Sequence, residues 1–198
     1  MNRLIEKYQK EISQELAKEF GIKNSMAIPR LTKININVGI GDLIKNKEAK
    51  EQLIKDIAQI AGQKPSERQA KISVATFAIR KGMVVGLGLT LRGIRMYDFF
   101  DKFVNIVLPR LRDFRGLKKT SFDKFGNYTI GLTDHTVFPE IDITKAAPSH
   151  GLEITFNTNA GMKERGEKLL ELLGMPFVKN TNDKQSLIDN IGKKENDK

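Results

Sequence analysis

A chain of 198 residues with 39% hydrophobic content is sized for one domain with a real core, and no apolar run approaches the roughly 20 residues that a membrane-spanning helix needs. Lysine and arginine exceed aspartate and glutamate by 34 to 24, a formal charge of +10 that favours a polyanionic partner. The chain has no cysteine, which excludes disulfides and thiolate metal sites and fits a reducing compartment, the cytoplasm being the simplest.

The N-terminus reads as an acid-containing amphipathic segment, not a signal or transit peptide. Leu4, Tyr8, Ile12, Leu16 and Phe20 recur every four residues, with Asn2 as N-cap and Gly21 as stop, which predicts an opening helix. After Pro29, Ile34, Ile36, Val38 and Ile40 alternate with Lys33, Asn35 and Asn37, the period of a strand with one buried face. A second helix is predicted over 46–61, with Leu53, Ile57 and Ile60 on one face, Gly62 as stop and Pro65 beyond.

A weak strand lies around Arg68, and 84–92 is a stronger one, with Val85, Leu87, Leu89 and Leu91 on one side and Gly86, Gly88, Thr90 and Arg92 on the other. Met96, Phe99, Phe100, Phe103, Val104 and Val107 define a third helix whose last turn Pro109 disturbs. Strands over 128–132 and 152–158 and a helix over 163–173 follow, stopped by Gly174 and Pro176. The pattern predicts an α+β fold: a mixed, mainly antiparallel sheet with helices packed on one face and the other face open. Residues 1–179 form the single domain, and 180–198 are a polar tail too poor in apolar residues to order itself. From 179 onward five lysines meet four acids, so the body carries +9 of the +10.

Two strands thus offer polar, low-profile outer faces. Glycines there permit close backbone approach, amides and hydroxyls can bond phosphate or ribose 2′-OH groups, and the cations supply the field, a combination suited to folded RNA. Ordinary solvated positions with glycines marking bulges would read the same. No aromatic stands at these positions, so backbone and shape contacts are favoured over base stacking.

The stretch 71–82 mixes small, apolar and basic residues without helical period and reads as a protruding hairpin loop, with Phe77 near its tip. From 64 to 82, Lys64, Arg68, Lys71, Arg80 and Lys81 against Glu67 leave +4, enough to reach a second RNA or merely to keep a mobile tip soluble. Arg110, Arg112 and Arg115, followed by Lys118 and Lys119, form a third basic cluster suited to phosphate, or a solvated loop.

Catalytic signatures are weak. Gly39-Ile-Gly41 with Asp42 has two glycines of a phosphate-binding turn but neither a dinucleotide fingerprint nor a Gly-Lys-Ser/Thr ending. His135 and His150 are the only histidines and read as surface or satisfied structural residues. Asp123, Asp134, Glu140 and Asp142 sit in turn-like sequence without acid–base spacing. The expectation is no enzyme activity, no cofactor and no metal.

Six segments carry a family resemblance: Ile28-Pro-Arg-Leu-Thr-Lys-Ile-Asn-Ile-Asn-Val-Gly-Ile-Gly41, Ile60-Ala-Gly-Gln-Lys-Pro65, Leu89-Thr-Leu-Arg-Gly93, Pro109-Arg-Leu-Arg-Asp-Phe-Arg-Gly116, Ser121-Phe-Asp-Lys-Phe-Gly-Asn-Tyr128 and Phe138-Pro-Glu-Ile-Asp142. In order and spacing the chain resembles, over residues 2–179, the bacterial family of large-subunit ribosomal protein five, the 5S rRNA binders. Ile72, where many relatives have a basic residue, and the long tail are its departures.

The resemblance implies that the open sheet face binds 5S rRNA in the central protuberance of the cytoplasmic ribosome through Lys33, Asn35, Asn37, Gln63, Gly86, Gly88, Thr90 and Arg92, with Asn37, Gln63 and Thr90 as buried hydrogen-bonding positions. It implies that the loop carrying Lys71, Ser73, Phe77, Arg80 and Lys81 points toward peptidyl-site tRNA. It further implies that Arg110, Arg112 and Arg115 serve an intersubunit bridge to a small-subunit head protein or additional rRNA contacts, with 23S rRNA and neighbouring large-subunit proteins as further partners and no membrane. A stand-alone RNA chaperone or translation regulator would present a similar surface, and ribosomal stoichiometry separates the two; a nucleotide-using enzyme would instead be stabilised by nucleotide.

Overall fold

The structure is a computed structural model that describes residues 3–43, 46–112, 114–142 and 148–178. The opening stripe sets a geometric problem, because on a helix of 3.6 residues per turn each four-residue step overshoots by about 40°. The chain meets it by widening a turn. Helix α1 runs as α-helix over Arg3–Lys7, as a π turn over Tyr8–Ile12 and as α-helix again over Ser13–Glu19. Leu4, Ile12 and Leu16 are buried, and Tyr8 Oη donates to the Pro29 carbonyl at 2.9 Å. The predicted cap, Asn2, lies outside the described residues.

Helix α2, Lys47–Ala61, begins where the Asn46 Oδ1 accepts the Ala49 N–H at 3.2 Å and ends where Gly62 turns left-handed at φ 64°. Helix α3 starts as Ile94–Lys102, passes through a π turn over Phe103–Val107 and closes with Leu108–Arg110. It buries Met96, Phe99, Phe100, Phe103 and Val107. Helix α4, Lys163–Leu172, buries Leu169 and Leu170.

Five strands, β1 (Leu31–Gly39), β2 (Ser66–Gln69), β3 (Val84–Leu91), β4 (Tyr128–Leu132) and β5 (Leu152–Thr158), form one sheet in the order β2-β3-β1-β5-β4. Every pairing in it is antiparallel, at the antiparallel end of the expected mixture. Alternation puts Ile34, Ile36, Val38, Leu87, Leu89, Leu91, Ile154 and Phe156 on the helix side, all buried. Phe156 meets Phe100 edge-on and Phe103 at a tilt, with ring centroids 5.5 Å apart in both pairs, so α3 is keyed to the middle of the sheet. The α+β architecture with one open face is therefore the one found.

The surface alternative for the histidines is overturned: His135 is 0% and His150 5% exposed. His135 Nδ1 accepts the His150 N–H at 3.2 Å, and its Nε2 faces Asp56 Oδ2 at 3.6 Å. The pair ties the turn after β4 to the approach to β5 and to α2. Residue spacing carries no hint of this, because the contact is tertiary. The predicted boundary at 179 and the tail lie outside the described residues.

Candidate nucleic-acid interface

Strand register builds the open face row by row. Asn35 stands between Thr90 of β3 and Thr155 of β5, with Thr129 of β4 beyond. The next row runs Ser66, Gly88, Asn37, Glu153, Gly131 across all five strands. Lys33 pairs with Asn157 on one side of these rows, and Arg68, Gly86 and Gly39 form the row on the other. No bulky apolar side chain stands in any of these places.

The polar groups bind sideways. Thr90 Oγ1 donates to Asn35 Oδ1 at 2.9 Å, and Asn35 Nδ2 donates to Asn157 Oδ1 at 3.1 Å, a relay across three strands. Thr129 and Thr155 hydroxyls lie 3.2 Å apart, and Ser66 Oγ donates to the Gly88 carbonyl at 2.7 Å. Gln63 reaches in from the end of α2, its Nε2 at 3.5 Å from the Thr90 carbonyl. Such cross-strand bonds fix rotamers before a ligand arrives, which reduces the ordering cost of binding.

Each sequence-predicted platform residue is accounted for. Lys33, Asn35, Gln63, Gly86 and Thr90 are half-buried, Gly88 is buried and Arg92 is exposed just past β3. Asn37 corrects an expectation: it is exposed, its Nδ2 3.4 Å from Glu153 Oε2. Arg68, which the sequence places with the basic segment 64–82, shares the face, as do Ser66, Thr129, Glu153, Thr155 and Asn157, which the sequence reading leaves out although Glu153, Thr155 and Asn157 alternate with Leu152, Ile154 and Phe156 as visibly as β1 does.

Glycine keeps the face low at two places: a Cβ on Gly86 would meet the Val38 carbonyl oxygen at 3.2 Å, and Gly88 lies beneath a side chain. A Cβ on Gly88 would sit 2.9 Å from Arg68 Nε and 3.3 Å from Asn37 Oδ1, so Arg68 lies across the glycine. The guanidinium is thereby carried over Gly88 on the open face.

The β2–β3 connection is a built hairpin. The Ala70 N–H donates to the Met83 carbonyl, Val74 and Ile79 exchange both backbone bonds, and the Lys81 N–H is accepted by Ser73 Oγ at 2.9 Å. Lys71, Ser73, Phe77, Arg80 and Lys81 lie along it, and Phe77, 72% exposed, sits in a 3-10 turn ended by the left-handed Ala78. The loop projects from the sheet edge opposite to β4.

At the β4 edge, Arg112 and Arg115 line a groove of about 500 Å³, and Arg110 lies exposed beside it. The three groups that sequence reasoning proposed are thus separated in space, with platform, loop and basic flank set around one sheet.

Among the described residues no three His, Cys, Asp or Glu gather as a metal site. Glu140 pairs with Lys102 at 2.6 Å and Asp123 is spent on its own turn. The Asp123 carboxyl lies below the usual aspartate range: desolvation pushes it up, but N–H donors from Asn127, Phe125 and Gly126 together outweigh that. Burial raises the phenols of Tyr8, Tyr97 and Tyr128. Gly41 opens a 3-10 turn over Gly41–Leu43 after β1, and helix α2 starts at Lys47.

Comparison with known proteins is unambiguous. Residues 24–80 match the family described as Ribosomal protein L5, and residues 84–177 match the model of the C-terminus of that same ribosomal family. "Large ribosomal subunit protein uL5" of Carboxydothermus hydrogenoformans is 49% identical over 177 residues, 89% of this chain and 99% of that protein. The protein of the same name from Thermoanaerobacter sp. is 49% identical over 179 residues, 90% of this chain and 100% of its own length.

Proposed function

We propose, from the premise that this chain belongs to the ribosomal protein L5 family, that its open sheet face seats 5S rRNA and so helps anchor that RNA in the central protuberance. As a uL5 protein the chain is a structural constituent of the large ribosomal subunit, acting in translation alongside rRNA and other ribosomal proteins, and it is not an enzyme. The finer reading rests chiefly on one observation, the five-strand polar face whose amides and hydroxyls are already linked by Thr90, Asn35 and Asn157. Riboses and phosphates of a folded RNA present donors and acceptors at matching depth, and a face without projecting apolar groups lets a backbone lie close.

In the same reading the basic hairpin loop, with Lys71, Ser73, Phe77, Arg80 and Lys81, reaches peptidyl-site tRNA. The flank of Arg110, Arg112 and Arg115 meets a small-subunit head protein at an intersubunit bridge, and 23S rRNA and neighbouring large-subunit proteins complete the surroundings. The mechanism is positioning: the rigid platform holds one RNA while the loop touches another.

The test is binding to 5S rRNA against tRNA and an unrelated RNA of equal length at moderate salt, with Asn37→Ala and Thr90→Val beside the parent. Thr90→Val deletes the donor to Asn35, and Asn37→Ala deletes the exposed amide. A 5S preference that both variants lose supports the reading; equal binding to all three RNAs by the parent defeats it.

A further inference from the structure

Strand β4 ends the sheet, and only its beginning is covered on the outer side. Phe122 bridges to Tyr128, and the Asp123 N–H donates to the Asn127 carbonyl at 2.9 Å. Beyond that bridge no described segment pairs with β4. The direction of its backbone follows from the same bond: the Asn127 carbonyl points away from β5, and groups two and four residues on point the same way. Thr129 and Gly131 therefore aim N–H and C=O outward. The close Thr129–Thr155 hydroxyl contact agrees, since that pair is then the non-hydrogen-bonded kind with its side chains near one another.

Along this edge runs the groove of about 500 Å³, whose apolar wall includes Leu111, Phe114 and Leu117. Arg112, Arg115 and Lys118 also line it, each exposed, and among the described residues that line it there is no acid. Glu153, across from Gly131 on the next strand, is engaged by Asn37 at 3.4 Å. Unpaired strand backbone, an apolar wall and three cations converge, and each selects something different: backbone groups select an extended chain, the wall selects alternate apolar side chains, and the cations select acids between them.

We infer that the β4 edge is a docking site for an extended acidic segment of a protein partner, which joins the sheet as a sixth strand beside Gly131 with its carboxylates against Arg112, Arg115 and Lys118. This rests on the reading that the basic flank meets a protein, and it specifies how. An RNA strand would satisfy the cations but leave the apolar wall without a matching partner.

The experiment uses the full-length protein and a fluorescent ten-residue peptide alternating Glu with Val, followed by anisotropy. Two further peptides carry backbone N-methyl groups, one on the odd and one on the even residues, because a docked strand bonds through one set only. Strand addition predicts that one methylated peptide loses about tenfold or more in affinity while the other binds like the parent peptide. Arg112→Glu with Arg115→Glu should weaken the parent peptide similarly while 5S rRNA binding persists, which shows that the variant is folded. Equal binding by both methylated peptides overturns the proposal, as does displacement of the parent peptide by a uridine decamer that binds the same groove more tightly. Subunit association that needs Arg112 and Arg115 while both methylated peptides bind normally would preserve the bridge reading and overturn strand docking alone.

Discussion

At Gly166 of α4 the backbone of the turn before β4 comes so close that an added Cβ would fall within 3 Å of the Gly126 Cα and carbonyl carbon, at 2.6 and 2.8 Å. Backbone cannot swing aside as a side chain can, so Gly166→Ala should cost about 3 kcal/mol, the upper part of the usual overpacking range, in denaturant unfolding. Gly88→Ala meets Arg68 and Asn37 side chains instead and should change stability by less than about 1 kcal/mol, while lowering 5S rRNA affinity by moving the guanidinium off the face. The same turn carries a pH dependence. Asp123 Oδ1 accepts N–H groups of Phe125 and Asn127 at 2.9 and 2.8 Å, and Oδ2 accepts the Asn127 amide at 2.7 Å. Its carboxyl is lowered in the folded state, so the stabilisation is complete above the unfolded aspartate value of about 3.9 and is lost as pH falls through the lower folded value. Amide exchange at 123–127 should accelerate over that acid range, and Asp123→Asn should remove the dependence. None of these contacts was legible beforehand. Asp123 and Asn127 are four residues apart, but what makes Gly166 indispensable is a neighbour 40 positions away.

Elements were more legible than contacts, for reasons that differ among them. The strands 128–132 and 152–158 fall at Tyr128–Leu132 and Leu152–Thr158 because turn residues bound them and one buried face enforces a period of two. Helix α2 was readable from both ends, since Asn46 and Gly62 each supply a conformation or acceptor that helix termini require. Asn46→Ala should accordingly cost about 1 kcal/mol in thermal or denaturant unfolding, with a loss much below that meaning that neighbouring groups satisfy the Ala49 N–H. The π turns of α1 and α3 were not read, although the four-residue recurrence from Leu4 to Phe20 is itself the sign of a turn wider than 3.6 residues. The platform was half read for a related reason. Lys33, Asn35 and Asn37 declare a polar face by alternation, but that Thr155 and Asn157 complete it depends on β5 returning beside β1 from more than 100 residues downstream.

Over the whole molecule the charge is unevenly useful. The 20 residues from 179 onward hold five lysines and four acids, so +9 of the formal +10 belongs to 1–178. Within the body several cations are spent internally: Arg3 pairs with Asp101, Lys50 with Glu67, Lys102 with Glu140, Lys119 with Glu167 and Lys168 with Glu19. Lys33 and Arg68 stand on the open face instead, and Arg92 lies exposed just past β3. Affinity for 5S rRNA should therefore fall log-linearly with salt, with a slope set by these few groups and not by net charge. Replacing Lys33 and Arg68 by Gln should flatten the slope by about 0.7–0.9 for each phosphate that is no longer neutralised, whereas removing residues 179–198 should leave it nearly unchanged. Titrations at several salt concentrations decide the matter. A tail deletion that flattens the slope as much as the platform pair would place the electrostatic work outside the sheet, and the open face would then contribute shape and hydrogen bonds without the field.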